Sequence, residues 1–286
     1  IETISVAKRI AVPANVGALA DARGDLLAIA YPSTKTIGIL DPSGDTLSET
    51  AALPGAVDLL AGDRHETRIV AAEHGASWVA IVDPSTRAFT KTTLTGKVVA
   101  LAVDPAGGFA YVATMGTNQV VKLALADGSV AWRAPLAEAP VALSAGRDGG
   151  AFVSLGRHIV EVADGTASRW ASAAAEIVEL ARSDDGGAVY AASGDVVQAF
   201  TGRGILTKTV QLGADAVPAA LAPVPRPSSI AGGGSGSGSG AASGGGAGPA
   251  ASSAPHAPST DTIADVVGRV AGLPWLAGAA ITALVV

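Results

Sequence analysis

Residues 98–130 read VVALAVDPAGGFAYVATMGTNQVVKLALADGSV, and this stretch decides the fold. It contains three short apolar runs, VVALAV, FAYVAT and QVVKLAL. The segments between them carry Asp, Pro, Gly, Thr and Asn, which are residues that tight turns favour. Apolar runs of about 4 to 8 residues bounded by such turns are typical of β-strands. The stretch therefore predicts three antiparallel strands joined by hairpins.

The same pattern recurs along the chain with a period of roughly 40 residues, as expected for a repeat architecture. First strands begin at Val16, Val57, Val98, Val141 and Ile177. A fourth strand in each unit is more polar and alternating: TLSETAAL, AFTKTTLT, SVAWRAPL, ASRWASA and ILTKTVQL. That composition is typical of an edge strand with one solvent-exposed face. Abundant Ala would favour helices, but the runs are too short and too often interrupted by Gly, Asp and Pro. Four antiparallel strands per unit predict an all-β fold, a β-propeller of four-stranded blades over residues 1–224.

The number of blades depends on how the ring closes. Five units are complete, and a sixth copy of the first strand, VPAALAPV, begins at Val217. The opening segment ETISVAKRIAV aligns with a fourth strand. A propeller pairs its open edges by sharing one blade between its termini. We therefore predict six blades, with the closing blade only partly present here. Five blades are the alternative, and seven would need two further units.

The unit at residues 98–130 resembles the YVTN-type β-propeller repeats, which are close to the quinoprotein-like and lactonase-like propellers. Tyr111, Val112, Ala113 and Thr114 stand where that family carries its signature tetrapeptide, and Asn118 precedes the third strand in the family manner. Residues 126–133, ADGSVAWR, are similar to the Trp-containing turn of quinoprotein repeats. The resemblance covers about 220 residues and implies activities from ligand binding to scaffolding.

The C-terminal part of the chain differs in composition from the repeats. Residues 225–260 are rich in Gly, Ser, Ala and Pro, and residues 227–260 carry no Asp, Glu, Lys or Arg, so we predict a disordered linker, natural rather than artificial. Residues 261–286 begin with an amphipathic turn and end in an uncharged run, 270–286, led by Trp275. We predict a truncated transmembrane helix, with docking on a partner or on the domain itself as the alternative.

Composition excludes several kinds of chemistry. The chain has 286 residues, no cysteine and a formal net charge of −6, which argues against thiolate metal sites and nucleic-acid binding.

His65 and His74 lie at opposite ends of one predicted strand, so they cannot share a metal ion. Asp41, Ser43 and Asp45 favour a tight turn over a cation loop. We predict no cofactor, no metal and no catalytic residue; Trp132 and Trp170 are expected to pack between blades.

A propeller binds its partners at the mouth of its central channel, which two sets of loops build. The loops that lead into the first strands contribute Asn15, Lys97, Glu138, Glu176 and Asp215. The loops between second and third strands contribute Tyr31, Lys35, Glu73, His74, Asn118, Arg157 and Asp195. Eight of these are our candidate binding residues: Asn15, Tyr31, Glu73, His74, Lys97, Asn118, Arg157 and Glu176.

Two functions fit these features. The favoured one is a non-enzymatic binding or scaffolding module for a protein or glycan partner, tethered to a membrane through residues 270–286 and extracytoplasmic, at a cell surface or in a periplasm. The alternative is a lactonase-like or quinoprotein-like enzyme, which needs convergent acids or a metal at the channel mouth.

Overall fold

The computed structural model describes residues 15–22, 26–41, 43–44, 46–62, 68–104, 108–146, 149–183 and 187–212. The described residues form twenty β-strands and no helix. The strands are β1 (Ala18–Asp21), β2 (Leu27–Tyr31), β3 (Thr36–Asp41), β4 (Thr46–Glu49), β5 (Leu59–Ala61), β6 (Ile69–Ala72), β7 (Trp78–Val82), β8 (Phe89–Thr93), β9 (Lys97–Val103), β10 (Phe109–Met115), β11 (Gln119–Ala124), β12 (Val130–Pro135), β13 (Leu143–Ala145), β14 (Ala151–Leu155), β15 (His158–Ala163), β16 (Thr166–Ser172), β17 (Glu179–Arg182), β18 (Ala188–Ser193), β19 (Val196–Thr201) and β20 (Leu206–Gln211).

These strands form five four-stranded antiparallel sheets, each a simple meander of four consecutive strands. The first strands of successive sheets contact one another, β1 with β5, β5 with β9, β9 with β13 and β13 with β17. Sheets that meet at their first strands are arranged radially, as the blades of a propeller are. The all-β prediction and the five complete blades, numbered 1 to 5 along the chain, are confirmed.

Each pair of neighbouring blades shares one apolar core. Between blades 3 and 4, Tyr111 and Val120 pack with Val153 and Val162, and all four side chains are buried. Equivalent cores join blades 1 and 2, blades 2 and 3, and blades 4 and 5. Two further clusters cover the outer faces of blade 1 and blade 5. Burial of both sheet faces explains why the second and third strands read as continuous apolar runs.

In blades 3 and 5 the turn between the third and fourth strands contacts the preceding blade. Gly128 and Gly204 occupy this turn in blades 3 and 5, with φ of +74° and +73°. The backbone of Gly204 lies against the Trp170 carbonyl oxygen of blade 4, and a Cβ there would collide with that oxygen. The carbonyl of Gly128 accepts a hydrogen bond of 2.9 Å from the Thr92 hydroxyl of blade 2. Glycine is therefore needed here both for its positive φ and for its small size.

The two predicted tryptophans lie at these same seams. The Trp170 ring centroid is 4.6 Å from that of Phe152 in its own blade and 6.0 Å from that of Phe200 in blade 5. Trp132 lies 5.9 Å from Tyr111, centroid to centroid, within the core between blades 3 and 4. The prediction that both side chains pack between blades is confirmed. Tilted aromatic pairs at such spacings add to the apolar burial.

The fourth strands are the most exposed strands, as their polar sequence predicts. Every residue of β8 and β20 is exposed or partly buried, whereas every residue of β6 and β7 is buried. In the described ranges no helix is long and apolar enough to cross a membrane. The predicted closing strands, the linker at 225–260 and the apolar segment at 261–286 lie outside the described residues.

Candidate functional site

The channel mouth is built from backbone hydrogen bonds that recur in all five blades. In each blade, a buried apolar residue that follows the fourth strand donates its amide to a carbonyl in the turn between the second and third strands. The five bonds, of 2.7 to 2.9 Å, run from Leu53 to Lys35, Leu94 to Ser77, Leu136 to Asn118, Ala173 to Arg157 and Leu212 to Asp195. Because the turn backbones are held in this way, their side chains project from a rigid frame.

A second set of bonds joins each turn to the entrance of the next blade. Val98 and the turn of blade 2 exchange two bonds of 2.8 Å, from Gly75 to the Val98 carbonyl and from Val98 to the Ala76 carbonyl. The Ile177 amide likewise donates to the Gly156 carbonyl of blade 4, at 2.9 Å. The predicted residues next to these positions are therefore brought together in pairs. His74 lies beside Lys97, and Arg157 lies beside Glu176.

The structure places the predicted residues of blades 1 and 2 differently from one another. Tyr31 is fully buried in the outer face of blade 1, so it belongs to the core and not to an exposed mouth. Glu73 is partly buried against Gly55. The exposed His74 donates its backbone amide to the Asp58 carboxylate at 2.6 Å, and Asn15 is exposed at the start of the described chain.

The remaining predicted residues lie in the described loops of blades 3 to 5. Lys97, Arg157 and Glu176 are exposed, and the Arg157 guanidinium donates to the Ala174 carbonyl. Asn118 is partly buried and has a φ of +43°, a left-handed conformation that Asn tolerates better than most residues. Its carbonyl is the one that accepts from Leu136.

Two valines that were not among the predicted binding residues are the most exposed large apolar side chains in the described loops of this face. Val141 is 46% exposed and Val178 is 49% exposed. Their amides donate to the Ser154 and Ala192 carbonyls, so they occupy equivalent positions in blades 4 and 5. Matching Val141 with Ile177, as the repeat suggests, is therefore one residue out of register. Such a slip exchanges buried and exposed positions.

Glu179 is the most perturbed carboxyl in the described part of the chain. Burial raises its pKa from 4.5 to about 7, and a hydrogen bond from the Leu180 amide only partly offsets that rise. It is paired with Ala192 in the first strand of blade 5. The equivalent positions of blades 1 and 2, Ala18 and Leu59, are apolar and pack into the core shared with the following blade. Glu179 therefore points to the far side of blade 5.

The acidic residues of the opposite face serve the turns. The Asp41 carboxylate accepts from the Ser43 amide and hydroxyl and from the Gly44 amide, and these bonds lower its pKa. The turn prediction is confirmed for the residues described there; Asp45 lies outside them. No group of three or more His, Asp or Glu residues within the described ranges could hold a metal ion. His65 and Asp215 also lie outside the described residues.

The fold and the mouth geometry define a β-propeller domain. Among solved structures, 1359 chains match this one, so the fold by itself singles out no function. One is the crystal structure of the β-propeller domain of Myceliophteria thermophila Cps50 (Swd1), with a TM-score of 0.61 and 12% sequence identity. The match covers 71% of this chain and 73% of that chain. No protein-family model and no curated protein matches the sequence.

Proposed function

We propose that this chain is a non-enzymatic binding module that holds a protein partner at the channel mouth of blades 4 and 5. The carrying observation is the exposure of Val141 and Val178, 46% and 49%, at equivalent positions of neighbouring blades. We take the two valines as the apolar centre of an interaction surface, because apolar side chains grouped on an exposed surface mark such sites. The partner contributes an apolar side chain that packs between the two valines.

The surroundings of the valines favour a protein over a glycan. Glu138, Glu176 and Arg157 are exposed around them, which gives a charged rim about an apolar centre. His74 carries the one exposed aromatic ring in the described loops of this face, since Tyr31 and Trp78 are buried. A partner with an apolar residue flanked by a basic residue therefore fits the mouth better than a sugar does.

Two finer features belong to the same proposal. The domain is a YVTN-type propeller of six blades, and residues 2–12 and 217–224 supply strands of the closing blade. Nearly full burial of Tyr31 on one end face and of Val197 on the other supports this closure, because apolar end faces need a cover.

We also propose that residues 225–260 are a flexible stalk and that residues 270–286 anchor the domain to a membrane, with the propeller on the extracytoplasmic side. The order of a folded domain, an uncharged Gly/Ser stalk and a Trp-led apolar run supports it. The full chain should bind phosphatidylcholine vesicles, whereas a chain ending at Val224 should stay in solution. In cells, external protease should cleave within the stalk. Equal vesicle binding by both chains would contradict the membrane anchor. A stalk that external protease cannot cleave on intact cells would contradict the extracytoplasmic location.

The partner site is tested by selecting peptides from a displayed library on the purified chain and measuring their Kd. The double variant Val141→Asp/Val178→Asp should weaken the selected peptides about ten-fold or more, since each valine loses apolar burial. The matched control is Ile205→Asp/Leu206→Asp. Ile205 and Leu206 are at least as exposed, at 60% and 46%, but lie where the fourth strand of blade 5 begins, with Leu206 the first residue of β20. Peptides that are weakened only by the control variant, or no saturable binding at all, would overturn the proposal.

A further inference from the structure

Three polar side chains of blade 4 converge at its outer edge, and we call them the donor cluster: His158, Arg169 and Ser172. The Arg169 Nη2 atom lies 2.9 Å from Ser172 Oγ and 3.2 Å from His158 Nδ1. Ser172 Oγ is in turn 3.1 Å from His158 Nδ1. Each pair of the three groups is thus within hydrogen-bonding distance. Arg169 and Ser172 are exposed, and His158 is partly buried.

A β-bulge in the fourth strand creates this arrangement. His158 pairs with Ser172 and Ile159 with Ala171, but Val160 pairs with Arg169, so that Trp170 is the additional residue. Without the bulge, Trp170 would stand opposite Val160, and Arg169 would turn to the other face. With it, Trp170 packs in the core towards blade 5, and Arg169 joins Ser172 and His158. Bulges commonly re-aim a side chain in this way.

The charge of Arg169 is not neutralised by any carboxylate in the described part of the chain. Both of its side-chain contacts, Ser172 and His158, are uncharged hydrogen-bond partners when the imidazole is neutral. The Glu161 side chain in the same pair of strands projects from the opposite face, because strand residues alternate and His158 is three positions away. In a chain with a net charge of −6, the cluster thus presents an unbalanced positive charge to solvent.

We propose that the donor cluster is an oxyanion-binding site, which takes a phosphoryl group or a carboxylate. The guanidinium is a planar fork of N–H donors, and the bonds to Ser172 and His158 use only those of Nη2, which leaves the Nε and Nη1 donors to meet the oxygens of either group. The Ser172 hydroxyl accepts from Arg169 and turns its own proton towards the ligand as a further donor. Because the Arg169 guanidinium can only donate, His158 Nδ1 accepts from it, and the neutral imidazole carries its proton on Nε2, which provides a further donor. This site is separate from the valines of the channel mouth and does not depend on the function proposed for them.

The test uses inorganic phosphate and acetate as probes, each titrated at constant pH and ionic strength into the isotope-labelled chain and followed by NMR. We expect saturable shifts at the His158 ring and the Arg169 side chain. Arg169→Gln should weaken the affinity about ten-fold or more, because charge-assisted hydrogen bonds are lost. Arg169→Lys keeps the charge without the planar fork, so its affinity for the probes should lie between those of the wild type and Arg169→Gln. The matched control is Arg203→Gln, since Arg203 is exposed in a turn of blade 5.

The two probes distinguish the source of the oxyanion. Saturation by phosphate alone assigns a phosphoryl site, whereas comparable saturation by acetate assigns a site that also accepts acidic side chains. Linear, non-saturating shifts with both probes would overturn the proposal. So would an Arg169→Gln variant that binds as tightly as the Arg203→Gln control.

Discussion

Replacing Glu179 by Gln tests the most unusual residue of the five blades. Its carboxyl lies on the first strand of blade 5, at the register position where blades 3 and 4 carry Ala100 and Ala142. Those alanines pack into the cores shared with the following blades. Burial at such a position withholds the water that would stabilise the ionised carboxylate, which is why the pKa of Glu179 is raised to about 7. Gln keeps the shape of the side chain and removes the titration.

The magnitude follows from the difference between the two pKa values. The unfolded chain releases the proton near 4.5, and the folded chain releases it near 7. Between these values the folded state binds more protons, so stability falls as the pH rises through this window. At about 1.4 kcal/mol for each pH unit, the penalty grows to at most about 3 kcal/mol above pH 7 and is absent below pH 4.5. The Glu179→Gln variant should not experience this penalty.

Urea unfolding at several pH values between 4.5 and 8 measures the effect. We expect the variant and the wild type to have similar stability at pH 4.5, and the variant to be more stable at pH 8 by up to about 3 kcal/mol. Glu176→Gln is the control, because Glu176 is exposed three residues earlier and should change stability by no more than about 0.5 kcal/mol. Parallel pH profiles for the wild type and Glu179→Gln would refute the reasoning.

Two further substitutions test the packing. Gly204→Ala should lower the free energy of unfolding in urea by at least about 1 kcal/mol more than Gly194→Ala does. Both glycines have positive φ, of +73° and +61°, but only Gly204 faces a neighbouring carbonyl, that of Trp170. Equal losses would mean that the contact between the blades does not need a glycine. Tyr31→Phe should leave the free energy of unfolding in urea unchanged or raise it, because no described residue is hydrogen-bonded to the buried Tyr31 hydroxyl. A loss of more than about 2 kcal/mol would show that this hydroxyl has a partner.

The fold was predictable because each repeat carries its own local signals. Turn residues separate short apolar runs, and the polar fourth strand marks the outer edge of every blade. These signals depend on neighbours in sequence, so they survive without knowledge of the three-dimensional contacts. The interblade role of Trp170 was predictable for the same reason, since a large aromatic side chain on a half-exposed strand has only the next blade to pack against.

The candidate site was less predictable, because the exposure of a side chain depends on register. Tyr31 ends a second strand and was expected at the mouth, but the alternation of the strand turns it into the outer face of blade 1. Val141 was expected to begin an apolar strand, yet one residue of shift in blade 4 places Pro140 in the buried position and leaves Val141 exposed. Neither outcome can be read from residue type alone.

The residues with the clearest chemistry are those that depart from the repeat. Glu179 stands where the other blades carry an apolar residue, and Arg169 reaches the donor cluster only because of a bulge. A repeat architecture fixes equivalent positions in every blade, so a blade-specific residue at one of them does not serve the common packing. It must either be tolerated at a cost in stability or serve a contact that only this blade makes. The pH profile of Glu179→Gln measures the first possibility, and oxyanion binding by Arg169 measures the second.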